Sequence, residues 1–358
     1  MKSNKDKVTN KDKVKGLLKQ LEAGVKDVFS SEKYMKYLKV MSKFHNYSLN
    51  NTLLILMQKP DATLVAGYKA WQTKFKRYVN KGEKGIQILA PATYKTVVEM
   101  EKIDPETQQP VIGEDGNPVI EKVEVTKPYF KPVYVFDISQ TSGEPLPEIT
   151  TRLTGDVENY GTLFESLKQV SPFPIKFEAI QGKTNGYCDP VNKRIAIKNG
   201  MSQAQTIKTC IHEIAHAKLH GIKDDNTIQE RKDRHTEEVE AESIAYVVCS
   251  YLGLDTSDYS FGYVAGWSKD RELPELKKSL NTIQKASSKL IQDIENKFKE
   301  LSKEKSQEQL KEYSNPLKSH GESGERLSIK ARIAMAEEKQ KNINMERKQN
   351  ATRESIQR

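Results

Sequence analysis

The sequence predicts an α+β fold, and three observations lead there. Leu17, Leu18, Leu21, Val25, Val28 and Phe29 recur at helical spacing, and Tyr34, Leu38, Met41 and Phe44 continue the pattern. Tyr129, Val133, Tyr134, Val135 and Phe136 form a β-rich run. Past the middle, Thr209-Cys210-Ile211-His212-Glu213-Ile214-Ala215-His216-Ala217-Lys218-Leu219-His220 carries an apolar stripe (Ile211, Ile214, Ala215, Leu219) and so reads as a helix, with Gly221 as its stop.

The bulk numbers narrow the class. At 358 residues, two domains plus extensions are expected. Charged residues make up 30 % and apolar ones 36 %, and no apolar run is long enough to span a bilayer. The lysine-rich run at residues 1–19 has no apolar core behind it and does not read as a signal peptide; a solvated end is expected. Cys188, Cys210 and Cys249 are odd in number and widely spaced, which suits reduced thiols in a cytoplasmic protein. A net charge of +9 favours an anionic partner.

Along the chain, a helix through Leu53 and Met57 is expected to be capped by Ser48 or Asn50 and to end at Pro60. Residues 66–90 then hold six Lys/Arg against one acidic residue. Tyr68, Trp71, Phe75 and Tyr78 are interleaved with Lys74, Lys76, Arg77, Lys81 and Lys84. Cations that follow phosphates beside rings that stack on unpaired bases suit single-stranded nucleic acid. Trp71 and Phe75 serve equally well as core residues. Ile86, Ile88 and Leu89 read as a strand ending at Pro91. Residues 99–124 carry eight acidic and two basic residues with turn signals, and read as an exposed acidic insertion whose flanking valines pair as a hairpin. Residues 141–147 read as a linker. The expected organisation is a domain at 1–145, a second at 146–300, and a helical or disordered charged tail at 301–358.

The second domain reads as a helix over residues 160–170, a strand over 175–180, a turn at Asn185-Gly186-Tyr187 and a strand over 194–197. Ser202 caps the helix that follows. That helix contains H-E-x-x-H, which puts His212 and His216 on one face, able to share a metal ion. Three of the six His of the chain fall here. Glu213 lies beside the pair, where it can take a proton from water at such an ion. A catalytic zinc site needs a third protein ligand. The acidic start of the next helix, residues 236–249, offers Glu238, with Glu242 one turn on to accept a hydrogen bond from a ligating histidine. Glu240 faces elsewhere. Were the metal structural, His220 or Cys210 would be the candidates for a fourth ligand. Residues 273–298 carry a long amphipathic pattern.

Several motifs resemble those of ArdC-type antirestriction proteins of conjugative plasmids, including the LtrC-like proteins of Gram-positive elements. The N-terminal carriers are Tyr47-Ser48-x-x-Asn51, Pro60-Asp61-Ala62-Thr63-x-Val65-Ala66-Gly67-Tyr68-x-x-Trp71, Val79-x-Lys81-Gly82-Glu83-Lys84-Gly85-Ile86-x-Ile88 and Val135-Phe136-Asp137-Ile138-Ser139-Gln140-Thr141. The C-terminal ones are Gly186-Tyr187, the His212 to His220 segment and Glu238-x-Glu240-Ala241-x-x-x-Ala245, similar to ImmA/IrrE-type metallopeptidases. The resemblance implies a single-stranded-DNA-binding domain followed by a gluzincin-like domain holding Zn2+, or Mn2+ or another divalent ion. Glu242 stands where that pattern has Asp. The resemblance further implies protection of incoming DNA against a host restriction enzyme during conjugation. The alternative is an ImmA-like regulatory protease that cleaves a repressor or host protein. For the oxyanion, Tyr187 or Tyr246 is the residue of interest. The activity of the site is left open by sequence.

Overall fold

The structure is a computed structural model that describes residues 9–29, 31–145, 157–220, 232–269 and 271–314. The expectations for Gly221, for the end of the linker and for the chain beyond residue 314 lie outside the described residues. The chain divides into a compact unit, Met1–Glu304, and a second, Lys305–Arg358. The described strands, and every described helix but the last, lie wholly within the first unit.

Helix α1 (Asn10–Val28) starts well before the apolar stripe does. Thr9 accepts from the Asp12 N–H while the Asp12 carboxylate accepts from the Thr9 N–H, so a capping box anchors the lysine-rich turn expected to be a solvated end. Helices α2 (Ser31–Lys43) and α3 (Leu49–Gln58) follow, with Ser48 capping α3. Next come β1 (Val65–Gly67), α4 (Tyr68–Phe75) and β2 (Arg77–Val79), then β3 (Ile86–Glu101) and β4 (Ile120–Asp137). A 3-10 turn (Ile138–Gln140) leads to β5 (Thr141–Gly143), which pairs with β2.

Strands β3 and β4 form one long antiparallel ribbon, with β1 on the other edge of β4 near its root. Pro91 does not end β3. It sits opposite Phe130 inside the ladder, tolerated because β3 is an edge strand and the absent N–H leaves no ladder bond broken on that side. The valines flanking the acidic insertion do pair, Val98 with Val123, and the insertion is the exposed far end of the ribbon. At the root, α3 seals the free edge of β3 with two side-chain amides. Asn51 donates to Leu89 O and accepts from Leu89 N–H, both at 2.9 Å. Gln58 does the same at Gln87, at 2.8 and 2.9 Å. An amide side chain thus replaces a neighbouring strand. Asp137 holds the loop before β1 by accepting from the N–H groups of Thr63 and Leu64. Burial works against its charge, but those bonds and that from Ser139 outweigh it and hold its carboxyl below the usual range.

After α5 (Val157–Val170) comes a three-stranded sheet of β6 (Ile175–Glu178), β8 (Arg194–Lys198) and β7 (Gly186–Asp189), in that order. The expected turn at Asn185-Gly186-Tyr187 is instead the start of β7, antiparallel to β8. Helices α6 (Gln203–Leu219), α7 (Arg234–Tyr251), α8 (Val264–Lys269) and α9 (Leu273–Ser314) complete the described chain. Among the described residues no helix is long and apolar enough to cross a membrane.

The N-terminal helices share a core with α7, α8 and α9. The Tyr34 hydroxyl lies 2.7 Å from Ser243 Oγ, the Phe29 and Trp267 rings are 5.6 Å apart, and Gln284 donates to His45 O at 2.9 Å. Leu276, Leu280, Ile283, Leu290, Ile291 and Ile294 of α9 are all buried against it.

A candidate metal centre between two helices

Ser202 caps α6 by accepting from the Gln205 N–H, which fixes where the helical face begins. Asp233 caps α7 in the same way, accepting from Thr236, and also binds Arg271. Burial opposes its charge, but Thr236 and Arg271 together hold it down at about 2. The two caps set the helices so that His212 and His216 of α6 meet Glu238 of α7. The two Nε2 atoms are 3.1 Å apart, and Glu238 Oε2 lies 3.7 Å from the first and 3.5 Å from the second. Metal–ligand bonds of about 2.0–2.1 Å in a tetrahedron separate ligand atoms by about 3.4 Å. The triangle therefore has the size of three ligand positions around one ion, and it is the one such group of His, Cys, Asp and Glu among the described residues.

Each histidine is held from behind. His212 Nδ1 lies 2.9 Å from Glu242 Oε2, close but out of line for a straight hydrogen bond. Burial alone would lower the His212 pKa, yet Glu242, Glu213 and Glu238 outweigh it and raise it. His216 Nδ1 lies 3.3 Å from His220 Nδ1, and His220 Nε2 lies 3.4 Å from Glu240 Oε2. Glu240 is fully buried and satisfied by Lys232 at 2.6 and 2.7 Å and by Ser279 of α9 at 2.8 Å. His220 thus backs His216 and adds no fourth ligand atom, and Cys210 is buried away from the triad. With Glu242 behind the His212 Nδ1 and His220 behind the His216 Nδ1, both Nε2 atoms face the shared centre.

Glu213 is buried beside the histidines. Burial raises its pKa, which His212 and His216 partly oppose, and the Cys188 backbone supplies a hydrogen bond. That contact depends on β7 lying against α6. Gly186 permits it, since a Cβ there would come within 2.7 Å of the Thr209 methyl and 2.9 Å of Ala196 O. A cleft of about 280 Å³ opens on this side, lined by His212, Glu213, Glu242, Lys208, Asp258 and Tyr259 among others. Lys208 pairs with Asp258 at 2.7 Å. Sequence reasoning passed over these last three and the His220–Glu240 pair. Of the tyrosines proposed for the oxyanion, Tyr187 is committed to Glu178 and Arg194, and Tyr246 is buried against Tyr259 and Phe261. Tyr263 lies in the field of Glu242 and Glu238 instead, and burial with those charges pushes its pKa up.

The residues expected to contact DNA divide. Tyr68, Lys74, Lys76, Tyr78, Lys81 and Lys84 are exposed. Trp71 is completely buried, its indole N–H donating to Phe136 O at 2.9 Å. Arg77 is spent on β5, donating to Thr141 and to Glu144 O. Neither is free to meet a nucleic acid in this arrangement: the first is core, and the second fastens β2 to β5.

Comparison with known proteins matches two separate stretches of the chain. Residues 7–136 match the family described as the N-terminal domain of anti-restriction factor ArdC. Residues 171–260 match the IrrE N-terminal-like domain family, Peptidase_M78. An uncharacterized protein of Bacillus anthracis is 30 % identical over 330 residues, which is 84 % of this chain and 54 % of that protein. The chain therefore spans about half the length of this curated relative. Two crystal structures of antirestriction ArdC from plasmid R388 each superpose with a TM-score of 0.42. The metal-free form is 21 % identical, covering 71 % of this chain and 86 % of its own, and the Mn(II)-bound form is 20 % identical, covering 70 % and 85 %.

Proposed function

From a chain that sets an ArdC-type N-terminal domain ahead of an IrrE-like peptidase domain, we propose a single-stranded-DNA-binding antirestriction protein of a conjugative or mobile element, with a zinc peptidase site in its second domain. The observation that supports it most is the meeting of His212, His216 and Glu238 with Glu213 alongside. The donor set, two imidazoles and one carboxylate with a base next to it, suits Zn2+ and also accepts Mn2+. A divalent ion held there supplies a Lewis acid that polarises a carbonyl and acidifies water.

The chain supplies the rest. Glu213 takes the proton from the attacking water and hands it to the leaving amine, a role suited to a carboxylate whose pKa burial has raised. The cleft beside Glu213 receives the substrate, a host restriction enzyme or another protein. Glu213→Gln keeps the shape and removes the base. Peptide hydrolysis is expected to fall by about 10²–10⁴-fold. If protection against restriction survives that substitution, hydrolysis is not how the protein protects DNA. The cleft and the IrrE-like match also favour a regulatory protease that cleaves a repressor, and this reading gains if Glu213→Gln halts repressor turnover but leaves DNA binding intact.

The DNA half rests on the exposed lysines around β2. Four of them, Lys74, Lys76, Lys81 and Lys84, each displacing a counterion from a single strand, give an expected slope of about −3 in log K against log salt. Binding to oligo(dT) that ignores salt would remove this half of the proposal.

A further inference from the structure

With Trp71 buried, the DNA-binding reading loses its largest ring and keeps Tyr68 and Tyr78. Strand β4 carries replacements. Phe130, Tyr134 and Phe136 are separated by even numbers, so they share one face of the ribbon, and the Tyr68 ring meets Phe136 at 6.3 Å. Phe130 is 60 % exposed, Tyr134 54 % and Tyr68 51 %. Phe130 and Tyr134, four residues apart on one strand, stand about 13 Å apart, room enough for one base against each ring. Gly85 lies against this face: a Cβ there would come within 3.1 Å of both Phe136 and Tyr134. The glycine keeps the surface beside the rings low.

Charge identifies the occupant. Residues 67–95 and 124–144, which carry the platform, hold nine Lys/Arg (seven and two) against four acidic residues, Glu83, Glu124, Asp137 and Glu144, of which Glu124 and Glu144 pair with Lys95 and Lys76. Asp137 points inward to the Thr63 and Leu64 N–H groups, and Glu83 accepts from Gln140. So basic a surface repels a second copy of itself and attracts a polyanion. Addition of a strand at the ribbon edge is also obstructed, because Pro91, Pro128 and Pro132 offer no N–H. Duplex bases are already stacked and paired, whereas unpaired ones offer their faces.

We infer that the outer face of β4, with Tyr68 of α4 beside it, is a stacking platform for single-stranded nucleic acid, with Tyr68, Phe130 and Tyr134 each receiving a base and the flanking lysines tracking phosphates. The inference rests on the proposed DNA binding and extends its ring contacts from Tyr68 of α4 onto β4. The test is oligo(dT) affinity of the full chain carrying Phe130→Ala and Tyr134→Ala. Both rings are exposed, so the melting temperature should hold. Affinity should fall by about tenfold or more per ring, and Tyr134→Phe should keep it, because the ring face and not the hydroxyl makes the contact. Heparin, a polyanion without bases, should bind the double variant as it binds the parent chain. Unchanged oligo(dT) affinity in the double variant, or an equal loss toward heparin, overturns the platform and leaves the DNA-binding reading standing. No binding of oligo(dT) by the unaltered chain overturns both.

Discussion

His216→Ala is expected to lose divalent-ion binding, and the unaltered protein is expected to keep about one ion per molecule after dialysis. His216 supplies one corner of a triangle whose sides are 3.1, 3.7 and 3.5 Å, and no other described group stands ready to replace it. His220, one turn on, is turned toward Glu240 and touches only the rear nitrogen of His216. Metal content by mass spectrometry after exhaustive dialysis reads the loss directly. A graded series sharpens it. His220→Ala removes the group behind His216 but no ligand, so metal affinity should fall by about 10–100-fold while stoichiometric loading survives at high ion concentration. Glu242→Ala should act similarly through His212, which it contacts at 2.9 Å. Circular dichroism separates loss of metal from loss of fold. A full metal complement in His216→Ala would sink the assignment, and one in His220→Ala at limiting ion would sink the role given to His220.

Much of this centre is legible because its logic is local. The i, i+4 spacing puts His212 and His216 on one face, and a catalytic site short of a ligand directs attention to the next acidic helix, where Glu238 and Glu242 are again i, i+4. What joins distant segments is not legible. Glu240 carries no sign of its partners, since Ser279 lies 39 residues away and His220 lies 20 residues back on another helix. Gly186 reads as a turn because glycine usually marks one; its strand is visible only once α6 is seen pressing on it. Pro91 reads as a stop because Pro breaks central strands, and nothing nearby tells that β3 is an edge. The shared core of α2 with α7 is equally hidden: Tyr34 and Ser243 are each unremarkable until they meet. Motif residues such as Asn51 and Asp137 gain their meaning in the same way, as side chains that stand in for missing backbone partners at the root of the ribbon.

Trp71→Ala tests the most instructive of these placements. A tryptophan among lysines and tyrosines reads as a base-stacking residue, yet here it is the anchor of α4. Its ring is fully buried, 4.9 Å from Phe75, and its N–H satisfies Phe136 O. Truncation leaves a cavity and costs about 3–5 kcal/mol of stability, with about 1–3 more if the Phe136 carbonyl is left dry. Urea unfolding should show the whole loss. Trp71→Phe, which refills most of the space, should lose much less. Oligo(dT) affinity should then follow folding: reduced where Trp71→Ala is partly unfolded, and restored when the sample is cooled or otherwise stabilised. Spectroscopy adds an independent check. The chain has two tryptophans, and both Trp71 and Trp267 are buried, so single-stranded DNA should perturb tyrosine rather than tryptophan emission. Weakened DNA binding with undiminished stability would mean that Trp71 leaves the core to meet the bases, joining Tyr68 as a ring contact on α4.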